Sequence, residues 1–165
     1  MPMPRVMLVV ALALVAISCT STRHSNLARF EKDLSLTVRN RQASAKTGST
    51  LSLMFTLENR GTMAATACRY LESTVHFWGL DARYAVGRLG PVIDHQYCQV
   101  KFTIAPGGSI EWFEAVPVPN VPPGNVKLMA SVRIVDPTDC DQYGCYDTNV
   151  SATSETPLAI TAASK

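Results

Sequence analysis

The sequence has little charge, few aromatic residues and almost no histidine. Charged residues make up 17% of the 165, aromatics 7%, and there are 3 histidines. The 15 basic residues nearly balance the 13 acidic ones. A near-neutral chain with scattered Lys and Arg lacks the electrostatic footprint of a nucleic-acid binder, and no nucleic-acid partner is expected. There is no Gly-x-Ser-x-Gly elbow of the hydrolase type. His24, His76 and His95 stand alone in the sequence. Asp94 precedes His95, but neighbours on a strand point to opposite faces and do not form a dyad there. "APGGS" at 105–109 is followed by neither a lysine nor a helical pattern, so it does not read as a phosphate loop. These absences argue against an enzyme, and no cofactor is implied.

Long apolar runs are missing too, with one exception. Val6 to Ile17 is twelve uncharged apolar residues, preceded by Arg5 and followed by Ser18 and Cys19. A bilayer-spanning helix needs about 20. The run therefore reads as the core of a signal peptide over residues 1–18, with a small residue before the cut. "AISC" at 16–19 resembles the lipobox of bacterial lipoproteins. That resemblance implies a diacylglyceryl group on the Cys19 sulfur, cleavage before Cys19 and acylation of the new amine. The first partner would then be membrane lipid, held through acylated Cys19, since two or more acyl chains anchor stably where one does not. Thr20 after the cysteine implies, by the same family's sorting rule, the outer membrane of a Gram-negative cell. Residues 20–30, "TSTRHSNLARF", are polar and unpatterned. With Cys19 they read as a lipidated tether over 19–30, whose eleven flexible residues would reach about 18 Å on root-mean-square. Arg23, Arg29 and Lys32 cluster near it and read as solvated linker charge.

Five cysteines is an odd number. If Cys19 carries lipid, then Cys68, Cys98, Cys140 and Cys145 remain, and an exported, oxidising compartment favours disulfides. Four cysteines allow three pairings. The separation of five residues across Gly144 favours Cys140 with Cys145, which leaves Cys68 with Cys98. A zinc site on His95 and Cys98 would lack the second close-spaced ligand pair that structural zinc usually shows.

After the apolar run the period is two, with no helical stripe. Leu34, Leu36 and Val38 share one face, as do Leu51, Leu53, Phe55 and Leu57. Val100, Phe102 and Ile104 alternate, and so do Val126, Leu128, Ala130, Val132 and Ile134. Such alternation marks half-buried antiparallel strands. Val75, Phe77 and Trp78 lie in a less regular strand region. "RQASAKTGS", "ENRGT", "APGG" and "VPPG" are connections and turns. "SIEWFEAVPV" runs back as a strand ended by Pro117 and Pro119. "VSATSETPLAIT" is a last strand, in which Pro157 marks an edge or a bulge. Seven or eight strands at this spacing predict an all-β fold, a single antiparallel β-sandwich over 31–161.

Three segments, "GSTLSLMFTLENRGT", "FTIAPGGSIEW" and "VPPGNVKLMASVRIVD", resemble strand-turn units of the immunoglobulin-like sandwiches of bacterial surface proteins. BsuPI-type proteinase inhibitor domains and CARDB-like adhesion modules share such patterns. The resemblance covers about residues 48–135 and implies an immunoglobulin-like sandwich; the BsuPI likeness would imply proteinase inhibition.

"DPTDCDQYGCYDTN", 136–149, is the densest polar segment and reads as a stapled loop. Asp136, Asp139, Asp141 and Asp147 offer oxygens of the kind Ca²⁺ takes, although the spacing is not that of an EF-hand. A calcium-dependent ligand binder is thus one alternative. The same loop would hold Tyr143 and Tyr146 on a rigid tip, a partner-binding surface of low entropic cost. "NVS" at 149–151 matches a glycosylation sequon, which should mean nothing on a bacterial lipoprotein. The expectation is a lipid-anchored cell-envelope protein with a non-catalytic binding or structural role, whose partner is another envelope protein or a peptide added at a sheet edge.

Overall fold

The computed structural model describes residues 25–69, 73–78, 84–86, 98, 100–141, 144–154 and 156–163. Cys19, Tyr143, His24, Asp94 and His95 lie outside them, as does the expected signal peptide. The fold is all-β and sandwich-like. Among the described residues there are eleven strands and one short helix.

Helix α1, Ser25–Asp33, comes first. It corrects the expected tether, which was to run unstructured through residue 30. Leu27 and Phe30 lie three residues apart, on one face, and are 7% and 1% exposed. Nine residues are too few for a helix to hold by itself in water. Burial of these two side chains, worth roughly 2 kcal/mol each, supplies what propensity does not. Lys32 in the last turn suits the negative end of the helix dipole.

Two sheets follow. The first has three strands: β1 (Leu34–Asn40), β3 (Thr50–Asn59) and β8 (Ser109–Pro117), in the order β1-β3-β8. Both pairings are antiparallel. The period-two faces are those read from the sequence: Leu34, Leu36, Val38, Leu51, Leu53, Phe55 and Leu57 are all buried. The second sheet is organised on β9 (Gly124–Asp141), an 18-residue strand. β10 (Gly144–Thr153) pairs with it along residues 129–141, and β11 (Leu158–Thr161) pairs at its start. β5 (Thr74–Trp78) and β4 (Ala65–Arg69) pair with its middle. β7 (Val100–Ile104) extends the sheet from β4, and β6 (Tyr84–Val86) from β5. β2 (Ser44–Lys46) joins β11 in parallel. The inward faces of both sheets share one core, in which Phe55, Phe77, Leu128, Ile134 and Leu158 are fully buried.

Three connections differ from expectation. "RQASAKTGS" contains β2. It is recruited because Ala45, 6% exposed, sits against Ile160 in the β11 register. The segment "VSATSETPLAIT" is two strands rather than one, and Pro157 lies in the link between them. The stapled loop is not a loop: β9 and β10 continue through it as a hairpin, paired out to Asp141 and Gly144.

The turns that the sequence marked do form. Gly108 donates its amide to the Ala105 carbonyl at 2.9 Å, and Gly107 has φ of +70°. With Pro106 before it, this is the signature of a type II turn, and only glycine takes that φ without strain.

Candidate functional site

The β9–β10 tip is built around a bulge. Cys140 stands opposite Cys145, and Val135 opposite Asp147, so Asp136, Pro137, Thr138 and Asp139 face Tyr146 alone. The sulfurs of Cys140 and Cys145 are bonded, with Cα atoms 3.9 Å apart. Cys68 and Cys98 are bonded likewise, at 5.0 Å, and Cys68 is fully buried against Val135. These are the two pairs that spacing favours.

Asp136 is 2% exposed. Its Oδ1 accepts hydrogen bonds from the Thr138 amide at 2.8 Å and the Thr138 hydroxyl at 2.7 Å. Its Oδ2 accepts from Asn26 Nδ2 at 2.8 Å. Burial by itself would push this carboxyl up. The Thr138 and Asn26 hydrogen bonds and the field of Arg29 outweigh it and hold the group below the usual aspartate value. Asp147 pairs with Arg133 at 3.4 Å, and Asp139 is buried. Asp136 and Asp147, two of the four carboxylates expected to gather around calcium, are therefore engaged separately, and the side chain of Asp141 lies outside those described. Among the described residues no group of three acidic or imidazole side chains converges. Of the two tyrosines expected on this tip, Tyr146 is 45% exposed.

A second surface lies on the first sheet. Arg39, Met54 and Phe113 form one row across β1, β3 and β8, directly behind the inward row of Val38, Phe55 and Trp112. Phe113 is 52% exposed, and the Arg41 guanidinium lies over its ring at 4.6 Å. Arg39 and Arg41 also line an open groove of about 320 Å³ between the end of β1 and the β10–β11 link, with Ser154 and Thr156 on its other side. β8 is an edge strand, and no strand pairs its outer side among the described residues.

Behind Phe113, the space between the sheets is closed by a polar cluster. Phe55 and Trp112 stack at 5.3 Å, and the Arg69 guanidinium lies over the Trp112 ring at 4.1 Å from its centroid. Glu114 Oε1 accepts from Trp112 Nε1 at 2.7 Å and from the Ser73 hydroxyl at 2.6 Å, while Oε2 accepts from the Ser73 amide. Burial draws the Arg69 pKa below its usual value, and the Glu114 charge offsets part of that. The cluster ties β8 to Ser73 and Arg69 behind the position where Phe113 is displayed. The sequence marks this surface only faintly: Phe113 belongs to the expected strand "SIEWFEAVPV", and an aromatic on the polar phase of that strand is the one available signal. His76 sits half-buried on β5 with no catalytic partner among the described residues.

No protein-family model matches the sequence, and no curated protein does. Among solved structures the chain is similar to part of the alkylpurine DNA glycosylase AlkC of Pseudomonas fluorescens, with 10% identity and a TM-score of 0.42 over 78% of this chain and 30% of that one. It is also similar to the archaellum periplasmic stator complex of FlaF and FlaG from Sulfolobus acidocaldarius (17% identity, TM-score 0.35, 73% and 87% covered). A third similarity is to the putative ApaA protein of Bordetella pertussis (16%, 0.37, 73% and 89%). At these identities and scores the likenesses carry no argument about activity or partner.

Proposed function

We propose that this chain is a lipid-anchored cell-envelope protein that binds another envelope protein, without catalysis, through the outward face of its three-stranded sheet. The anchoring rests on the lipobox-like residues 16–19 and the apolar run before them. The binding role rests on one observation: Phe113 stays 52% exposed on an edge strand, under the Arg41 guanidinium. An exposed aromatic with an arginine at its face is the pairing that interface centres favour. The partner segment would lay an apolar side chain on Phe113 and Met54. A carboxylate would reach Arg39 and Arg41 at the groove.

A photo-crosslinking amino acid placed at position 113 in the native host tests this. A discrete adduct that disappears with Arg41→Glu is the expected result. Adducts no different from those of a probe at Lys101, an exposed position on the other sheet, would remove the face as the binding surface.

A further inference from the structure

The helix changes the geometry of the anchor. If Cys19 is acylated, only residues 20–24 separate it from the start of α1 at Ser25. Even fully extended, the six residue steps from Cys19 to Ser25 span at most about 21 Å. The lipid therefore holds the start of α1 close to the bilayer.

The start of α1 is in turn fixed to one place on the sandwich. Asn26, in the first turn of the helix, donates to Asp136 at the base of the β9–β10 tip. Tyr146 stands across the bulge from Asp136. The far end of the same strand is distant: Gly124 precedes Asp136 by twelve residues, about 40 Å of extended strand. A tether of at most about 21 Å keeps the base of the tip within reach of the bilayer, while the Gly124 end lies about 40 Å further along the strand. The tip suits that position. Its two strands are joined by the Cys140–Cys145 disulfide, so they do not splay. The Asp147 charge is taken up by Arg133 at 3.4 Å. Tyr146, 45% exposed, is of the residue type that settles at the headgroup level of a membrane, with its ring toward the acyl chains and its hydroxyl in water.

We infer that the disulfide-stapled β9–β10 tip, with Tyr146 and the first turn of α1, is the membrane-facing surface of this molecule, seated among the lipid headgroups around its own anchor. This rests on the lipid-anchor reading of Cys19. The Phe113 face belongs to the other sheet.

The acylated full chain, isotope-labelled and placed in nanodiscs of phosphatidylethanolamine and phosphatidylglycerol, gives the test. Amide signals are compared with and without headgroup-spin-labelled lipid. Signal loss is expected at Asn26 and over 136–141 and 144–147, with Lys46, Gly48 and Gly124 spared. Loss concentrated at that far end, or spread evenly, would overturn the inference while the anchor stands. A chain without acyl mass at Cys19 that does not enter the discs would instead defeat the anchor reading, and this inference with it. Tyr146→Ser, with its fold checked by the unchanged amide spectrum of the strands, is expected to keep the acyl mass and the disc association but to lessen the loss over 136–141 and 144–147. Unchanged loss there would overturn the seating of the tip in the headgroups.

Discussion

Asn26 in α1 and Asp136 on β9 are joined by a 2.8 Å hydrogen bond across 110 positions of sequence. The bond closes the first segment of the described chain onto the last hairpin. It also places a buried carboxylate where its charged form is preferred, because three donors converge on its two oxygens.

Stability should consequently depend on Asp136 ionisation. The folded-state pKa lies below the unfolded value of about 3.9, so this contribution is complete above that value and is lost as pH falls through the folded one. Asp136→Asn should cost about 1–2 kcal/mol at pH 7. The gap between variant and wild type should narrow below about pH 4. Urea unfolding at a series of pH values measures both; a gap that stays constant down to pH 2 would contradict the assignment.

Asn59 should be the costliest polar residue in the turns. It is fully buried. Its side-chain amide donates to the carbonyls of Met63 and Ile104, at 2.8 and 3.0 Å, and its Oδ1 accepts from the Gly61 amide at 3.0 Å. Its backbone exchanges bonds with Gly107 and Gly108 in the type II turn. One residue thus ties "ENRGT" to "APGG". Asn59→Ala would strand two carbonyls and an amide, and should destabilise by about 3 kcal/mol or more. Chemical denaturation reads this directly.

The two disulfides should contribute unequally. They close loops of 30 and 5 residues. Chain entropy alone gives about 3.5 kcal/mol for Cys68–Cys98 and about 2 kcal/mol for Cys140–Cys145. Paired Cys→Ala variants, compared by thermal unfolding, should rank in that order, with the buried Cys68 site adding a packing loss.

Phe113 and Arg41 should matter to binding more than to folding. Both are on the outward face, so Phe113→Ser and Arg41→Glu should each change stability by less than about 1 kcal/mol. Each should abolish the specific crosslink formed by a probe placed at Met54, beside Phe113 on that face. A large loss of stability with crosslinking retained would assign Phe113 to structure instead.

Much of the architecture is legible in the residues. In β1, β3, β7 and β9 the alternation names the buried face correctly, because a pleated strand sends side chains to opposite sides every residue. Pro106 and Gly107 mark their turn because few residues tolerate its backbone angles. The helix is not legible: Leu27 and Phe30 are two apolar residues, too few to show a 3.6-residue stripe. β2 is invisible for a similar reason, since three residues become a strand only when β11 arrives beside them.

The candidate surfaces divide in the same way. Cysteine spacing points to the two bonded pairs. What Asp136 and Asp147 do depends on donors brought from Asn26, Thr138 and Arg133, and only Thr138 is close in sequence to the residue it serves. The row of Arg39, Met54 and Phe113 exists only through the register of three strands. By itself the sequence determined that the chain is all-β, which faces of its strands are apolar and where several of its turns fall, since those properties follow from backbone geometry over a few residues. Tertiary structure decided the helix, the extended hairpin and both exposed surfaces. Each of these is stabilised by contacts between segments far apart in the chain, and no local pattern encodes them.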